Sequence, residues 1–270
     1  MTSAKRQPKQ SRKELRSLML DTGRAILREQ GLGTGAEALT FKRVFDRVEQ
    51  DTGVRLTNAS IIRRVWENQA AYQADVLVAV ASDGGRIEID RTFNAIGALF
   101  DGFDLSTIET RRHAIREMCR VGGAANIESL RQSSNWTSWI GVWAMATVND
   151  VREQRGRIDA ALLSGYRVTT DRFEQIYGAN AAALGLRLRN GLTVRQYTMA
   201  VGALAEGSAL RSRVDSSEME GILRPTGPNG EEQEWTLFAI GVEALVEQFF
   251  ELDPDWTPGA RAASPKGPKQ

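Results

Sequence analysis

Thr57, Asn58, Ser60, Arg63 and Arg64 put hydroxyl, carboxamide and guanidinium groups within eight residues, interleaved and followed by the apolar Ile61, Ile62, Val65 and Trp66. Donors and acceptors on one side of a short helical pattern, with a packing surface on the other, suit an element that presents hydrogen-bonding groups to base edges in a major groove. Such an element needs a second helix to hold it. Just before it, Phe41, Val44, Phe45 and Val48 recur at i, i+3, i+4 and i+7, and Lys42, Arg43 and Arg47 fall outside that stripe. Thr40 is placed to cap the first helix, Thr57 or Asn58 the second, and Gly53 suits a turn with positive φ. Residues 39–77 therefore predict a helix-turn-helix in which the two arginines and their neighbours face DNA.

Catalytic chemistry has few candidates. His113 is the sole histidine, follows Arg111-Arg112 and has no partner at a fixed spacing. Cys119 is the sole cysteine, so no intramolecular disulfide can form, and one His with one Cys leaves any metal to carboxylates, for which no ligand run stands out. Glu128, Glu153 and Glu174 have the spacing of solvated helix faces. Gly31-Leu32-Gly33-Thr34-Gly35 follows a helix pattern instead of a strand and lacks the Lys-Ser/Thr of a phosphate loop, so it reads as a helix C-cap and loop. Neither an enzyme nor a cofactor or metal is expected.

Charge is uneven along the chain. The formal net charge is +1, but residues 1–72 carry 14 Lys and Arg against 8 Asp and Glu, leaving 21 against 26 for the rest. A basic start on an acidic body favours a polyanion for the start alone. Lys5, Arg6, Lys9, Arg12, Lys13 and Arg16 precede or open the first helix, where Ser11-x-x-Glu14 is a candidate capping box. No apolar run approaches membrane-spanning length and no cleavable apolar segment follows the basic start, so the expectation is a cytoplasmic protein with no membrane partner.

Proline sets the fold class. Between Pro8 and Pro225 lie 216 residues without the strongest helix breaker, rich in Ala, Leu, Arg and Glu, which predicts an all-α protein. Residues 1–10 are expected to be a disordered basic arm, 11–83 the helix-turn-helix domain, 84–252 a larger helical domain for ligand binding and dimerisation, and 253–270 a disordered tail. Helices are expected over 12–30, 68–81, 91–100, 107–130 (opened by a Ser106-x-x-Glu109 box), 136–148, 150–183, 193–213 (opened by Thr193-x-x-Gln196) and 235–252. Residues 221–232, with Pro225, Pro228 and Asn229-Gly230, mark a loop or loose hairpin. Residues 86–90 alternate like a strand, but without a partner run helix or turn fits them better.

Trp136, Trp139, Ile140 and Trp143 share one helical face. The stripe fits a packed core, or the wall of an apolar cavity lined with helices bearing His113, Arg116 and Cys119 and with further aromatic surface from Phe100, Phe103, Tyr166, Phe173 and Tyr177. Likewise Ala200, Ala203 and Gly207 form a small-residue face, and Leu237, Gly241, Leu245 and Phe249 a packing face, for intrachain core or for a second copy.

Several stretches together resemble TetR-type bacterial transcriptional regulators: Arg28-Glu29-Gln30-Gly31-Leu32, Leu39-Thr40-Phe41, Thr52-Gly53-Val54, Ile62-Arg63-Arg64-Val65-Trp66, and Leu192-Thr193-Val194-Arg195-Gln196-Tyr197 through Ala205-Glu206-Gly207-Ser208-Ala209-Leu210-Arg211. The chain departs from the family pattern by about three extra residues before Ile62, by Arg63-Arg64-Val65-Trp66 in place of Tyr-x-His-Phe, and by Gln69 where a Lys is usual. The resemblance implies a two-domain homodimer on a two-fold symmetric operator in double-stranded DNA, acting as a repressor that a small, largely apolar ligand releases. It places Arg12, Lys13, Thr40, Lys42, Arg43 and Tyr72 with the groove-facing set at DNA. It also places Ala200, Ala203, Gly207, Leu237, Gly241, Leu245 and Phe249 in a four-helix dimer interface. Two alternatives stand beside it: a regulator of the same architecture with no small-molecule ligand, and a helical enzyme.

Overall fold

The computed structural model describes residues 11–30, 39–57, 61, 64–83, 96–97, 99, 102–148, 152–227 and 230–257. It is mostly helical, with α1 (Arg12–Gln30), α2 (Phe41–Thr52), α3 (Gln69–Asp83), α4 (Ile108–Gln132), α5 (Ser134–Val148), α6 (Arg152–Ala183), α7 (Val194–Ser212) and α8 (Leu237–Phe249). Two antiparallel pairs complete it: β1 (Leu186–Leu188) with β4 (Phe250–Leu252), and β2 (Ile222–Pro225) with β3 (Glu232–Trp235).

Local signals account for most helix starts. The Ser11 amide donates to Glu14 Oε2 at 2.8 Å and the Glu14 amide to Ser11 Oγ at 3.2 Å, the expected capping box. Thr40 accepts from the Arg43 amide, and Thr193 and Gln196 cap one another. The box that opens α4 lies one residue beyond the expected Ser106/Glu109 pair: Thr107 and Thr110 form it, and Ser106 instead donates to Asp104. The last helix is shorter than the expected 235–252, because Trp235 ends β3 and residues 250–252 form β4. The region from Asp253 starts ordered: the Asp253 amide donates to the Gly185 carbonyl, and Trp256 Nε1 donates to the Ala182 carbonyl. The expected features at 1–10, 31–38, 84–95 and 258–270 lie outside the described residues.

The described residues divide into two compact units, Met1–Gly85 with Ser134–Tyr166, and Arg86–Ser133 with Arg167–Gln270. The first break agrees with the expected boundary near Asp83. The return of 134–166 to the first unit differs from it, because α5 packs on α1 and α3.

In the first unit Tyr72 is fully buried, its ring tilted against Phe41 and edge-on to Trp66, and its hydroxyl donates to the Met19 carbonyl at 2.9 Å. A Cβ on Gly23 would overlap that hydroxyl and the Val76 methyl, so α1 and α3 approach as closely as they do because position 23 has no side chain. In the second unit α8 packs on α4 and α7. A Cβ on Gly123 would come within 2.9 Å of the Ala239 backbone, and one on Gly241 within 2.6 Å of Leu204 Cδ2, so both helix crossings depend on glycine.

Candidate functional site

The first candidate surface runs from α2 to Trp66. Phe41, Val44 and Val48 are buried, leaving Thr40 and Lys42 exposed and Arg43 half-buried. Gly53 ends the helix in the left-handed region (φ 71°), its amide bonded to the Glu49 carbonyl. Beyond it the exposed Thr57 gives its carbonyl to the amide of Ile61, whose side chain is fully buried. Val65 and Trp66 come next, Trp66 buried and Arg64 half-buried. Asn58, Ser60 and Arg63 lie outside the described residues. Arg12 and Lys13 are exposed in the first turn of α1.

Two sequence expectations change here. Tyr72, expected at DNA, is core: its ring has no exposed surface and its hydroxyl is spent on the Met19 carbonyl. Burial without a charged partner pushes its pKa far above the ordinary phenol value. Arg47, outside the apolar stripe as expected, is held by Glu29 through two bonds of 2.7 and 2.8 Å and by Asp51 at 2.7 Å, which raise its pKa further. Lys42 and Arg43 are the better placed cations of α2.

Asp75 on α3 ties this unit together. Its carboxylate accepts from Arg16 at 2.7 Å, Arg157 at 2.6 Å and Trp66 Nε1 at 2.9 Å. Burial alone pushes this carboxyl up, but the bonds from Trp66, Arg157 and Arg16 outweigh it and hold the pKa below the ordinary value. Trp66 follows the polar run of residues 57–64, so its bond to Asp75 ties the chain just beyond that run to α1, α3 and α6.

The tryptophan stripe belongs to this unit as well. On α5, Trp136 and Trp139 are buried, Trp139 stacks on Trp143, and Trp143 is 45% exposed. The core reading of the stripe fits this placement, with Trp139 Nε1 buried and unpaired. Tyr166 ends the unit at 36% exposure.

The second unit holds a cavity of about 740 Å³, part of it open to solvent. Its walls come from α4, α6, α7, α8, β1 and β4, and they are apolar apart from Cys119, Asn126, Tyr177, Asn180 and Tyr197. Among the described residues no charged side chain lines it. Phe173 stacks on Tyr177, Tyr177 meets Tyr197 edge-on at 5.2 Å, and Tyr197 meets Phe250 edge-on at 5.1 Å. Of the residues expected at a cavity, Cys119, Phe173 and Tyr177 are in this wall, and Phe100 lies outside the described residues. Phe103 and His113 meet edge-on away from it, and Arg116 pairs with Glu243 at 2.9 Å. Glu243 also takes Arg224 at 2.6 Å, and that guanidinium lies 4.5 Å from the Trp235 ring centroid. Burial, with Glu243 and Glu247 nearby, pushes the Cys119 thiol up to about 12, which makes it a poor nucleophile at neutral pH. Sequence periodicity carries no sign of this wall, because Cys119, Tyr177 and Tyr197 come from three separate helices.

The expected dimer residues divide between two roles. Gly241 and Phe249 serve intrachain packing, against Leu204 and Tyr197. Ala200, Gly207 and Leu245 are half-buried, Ala203 is exposed, and Leu237 is 48% exposed. Met199 and Leu210, 47% and 46% exposed, extend the outward face of α7 through Ala203. Glu206 sits on the same face without an ion-pair or hydrogen-bond partner among the described residues, and burial raises its pKa.

These features define a mostly helical protein with an amphipathic, capped N-terminal helix pair in one unit and an apolar cavity in the other. No family model matches the chain, and no curated protein matches it in sequence. Among the described residues no helix is long and apolar enough to cross a membrane, and no three His, Cys, Asp or Glu side chains converge as metal ligands would.

Proposed function

We propose that this chain is a DNA-binding transcriptional regulator, a ligand-responsive repressor that acts in the cytoplasm as a homodimer on a two-fold symmetric operator. The observation that carries the reading is the run from Thr40 to Trp66: a capped amphipathic helix, a left-handed glycine turn, a buried Ile61 and a Trp66 anchored on Asp75. Those anchors fix the chain at Ile61 and Trp66, and Thr57, Asn58, Ser60, Arg63 and Arg64 of this run meet base edges. Arg12, Lys13, Thr40, Lys42 and Arg43 contact phosphates and fix the register.

The outward apolar residues of α7 and α8, Met199, Ala203, Leu210 and Leu237, support dimerisation, since an exposed stripe across two packed helices is a surface that a second copy can cover. The cavity supports a ligand. To release DNA the ligand must bind the DNA-incompetent state more tightly than the competent one. The reading is tested by replacing Arg63 and Arg64 together with Ala and measuring binding to a duplex recovered from a random pool. Specific binding is lost and the sedimentation of the free protein is unchanged; retained affinity for that duplex overturns the reading.

A further inference from the structure

The cavity of the second unit has a chemical character that restricts its ligand. Two hydroxyls at its wall lack internal partners among the described residues. The side-chain carbonyl of Asn126 lies behind the cavity surface, without accessible area, and accepts no hydrogen bond among the described residues either. The hydroxyls of Tyr177 and Tyr197 make none among the described residues, although Tyr197 is only 5% exposed. A buried polar group without a partner costs about 1–3 kcal/mol relative to its hydrated state, and native interiors seldom leave several in one place. Tyr72 in the first unit shows the usual arrangement, with its hydroxyl on a carbonyl. The unpaired set at one cavity is accounted for when something entering the cavity completes it.

The wall also restricts the charge of the ligand. It holds no cation for an anionic group, and Glu243 and Glu247 lie close enough to raise the Cys119 thiol. An anion would lose its hydration there with nothing to replace it. The two arginines nearest in the fold are already engaged by Glu243. A cationic group finds no carboxylate in the wall. What remains is apolar surface, the hydroxyls of Tyr177 and Tyr197 and the carboxamide residues Asn126 and Asn180.

We infer that the cavity binds an uncharged, largely apolar molecule whose polar end hydrogen-bonds to the Tyr177 and Tyr197 hydroxyls. A hydroxyl on a fused-ring or long aliphatic body has this chemistry. The inference rests on the reading of the second unit as the ligand-binding one, and it names the class of ligand that this unit takes. The thiol of Cys119 adds apolar wall and takes no covalent part.

The test uses the whole chain without DNA, so that a failure here leaves the DNA-binding reading standing and a failure of DNA binding leaves this one standing. Calorimetry at pH 7 compares four probes of one shape: 2-naphthol, naphthalene, 2-naphthoate and 2-naphthylmethylammonium. The expected order is 2-naphthol first, naphthalene weaker by about three- to tenfold for the lost hydrogen bonds, and both ions weaker again. Tyr177→Phe and Tyr197→Phe each reduce the preference for 2-naphthol over naphthalene while naphthalene binding stays as it is. Equal or tighter binding of either ion, absence of binding by both neutral probes, or a 2-naphthol preference untouched by both phenylalanine variants overturns the inference.

Discussion

The two units treat their buried tyrosines in opposite ways. In the first, Tyr72 gives its hydroxyl to the Met19 carbonyl, and its ring is closed in by Phe41 and Trp66. In the second, Tyr177 and Tyr197 pack just as closely through their rings and line a cavity, yet their hydroxyls have no partner among the described residues. The first arrangement fixes geometry. The second leaves two hydroxyls unsatisfied, at some loss of stability, and under the proposed function that contrast separates the unit that holds a surface still from the one that accepts a molecule.

Four changes break or sharpen the contrast. The largest effect falls on the DNA-facing segment: Arg63→Ala with Arg64→Ala lowers affinity for a selected duplex by about a hundredfold, given ~1–3 kcal/mol for each good base contact, as read by fluorescence anisotropy. Asp75→Ala is second. It leaves Arg16, Arg157 and Trp66 Nε1 without their shared acceptor and lowers the stability of the first unit by about 2 kcal/mol, discounted because both arginines are about half exposed. Native-state hydrogen exchange localises that loss to the first unit. Because the folded pKa of Asp75 is depressed, its contribution is present above the ordinary carboxylate pKa of about 4 and disappears as pH falls through the lower folded value.

The third change compares the tyrosines directly. Tyr72→Phe removes the second hydrogen bond that the Met19 carbonyl accepts beside its helical one and costs about 1 kcal/mol, whereas Tyr197→Phe removes an unpaired hydroxyl and leaves thermal stability the same or slightly higher. A Tyr197→Phe loss as large as that of Tyr72→Phe in a denaturant titration contradicts the distinction. The smallest effect is on the outward face of α7. The folded pKa of Glu206 is raised, so its carboxylate opposes folding above its ordinary pKa, and this opposition fades as pH falls. Glu206→Gln therefore raises the melting temperature at pH 7 and has no effect near pH 3. It also tightens self-association, which sedimentation velocity reads.

How much was legible in the sequence depends on how local each signal is. Thr40, Ser11-x-x-Glu14 and Thr193-x-x-Gln196 act across one helical turn, and all three cap as expected. At Ser106 and Thr107 two adjacent hydroxyl residues compete, and Asp104 takes the first, which moves the cap by one. The α2 stripe was legible for the same reason. The tryptophan stripe was legible as a face, but periodicity does not say which bundle receives it; only Ser133 separates α4 from α5, and the chain returns there to α1 and α3.

Pairings between distant segments left no local trace. Leu186–Leu188 finds its partner strand at Phe250–Leu252, and each is three residues long. The cavity wall is of the same kind. Cys119, Phe173 and Tyr177 were legible as cavity candidates, but Asn126, Asn180 and Tyr197 carry no pattern until the helices pack, and the stripe of Trp136, Trp139 and Trp143 belongs to the other unit.

The central claim is that the first unit reads DNA as one half of a symmetric pair. Selection of bound duplexes from a random pool, at near-physiological salt where nonspecific phosphate attraction is weakened, tests it most directly. The account predicts enrichment of a two-fold symmetric site whose half-sites lie about one helical turn of DNA apart, or a multiple of it. Folded protein that enriches no sequence, or only an asymmetric one, contradicts it.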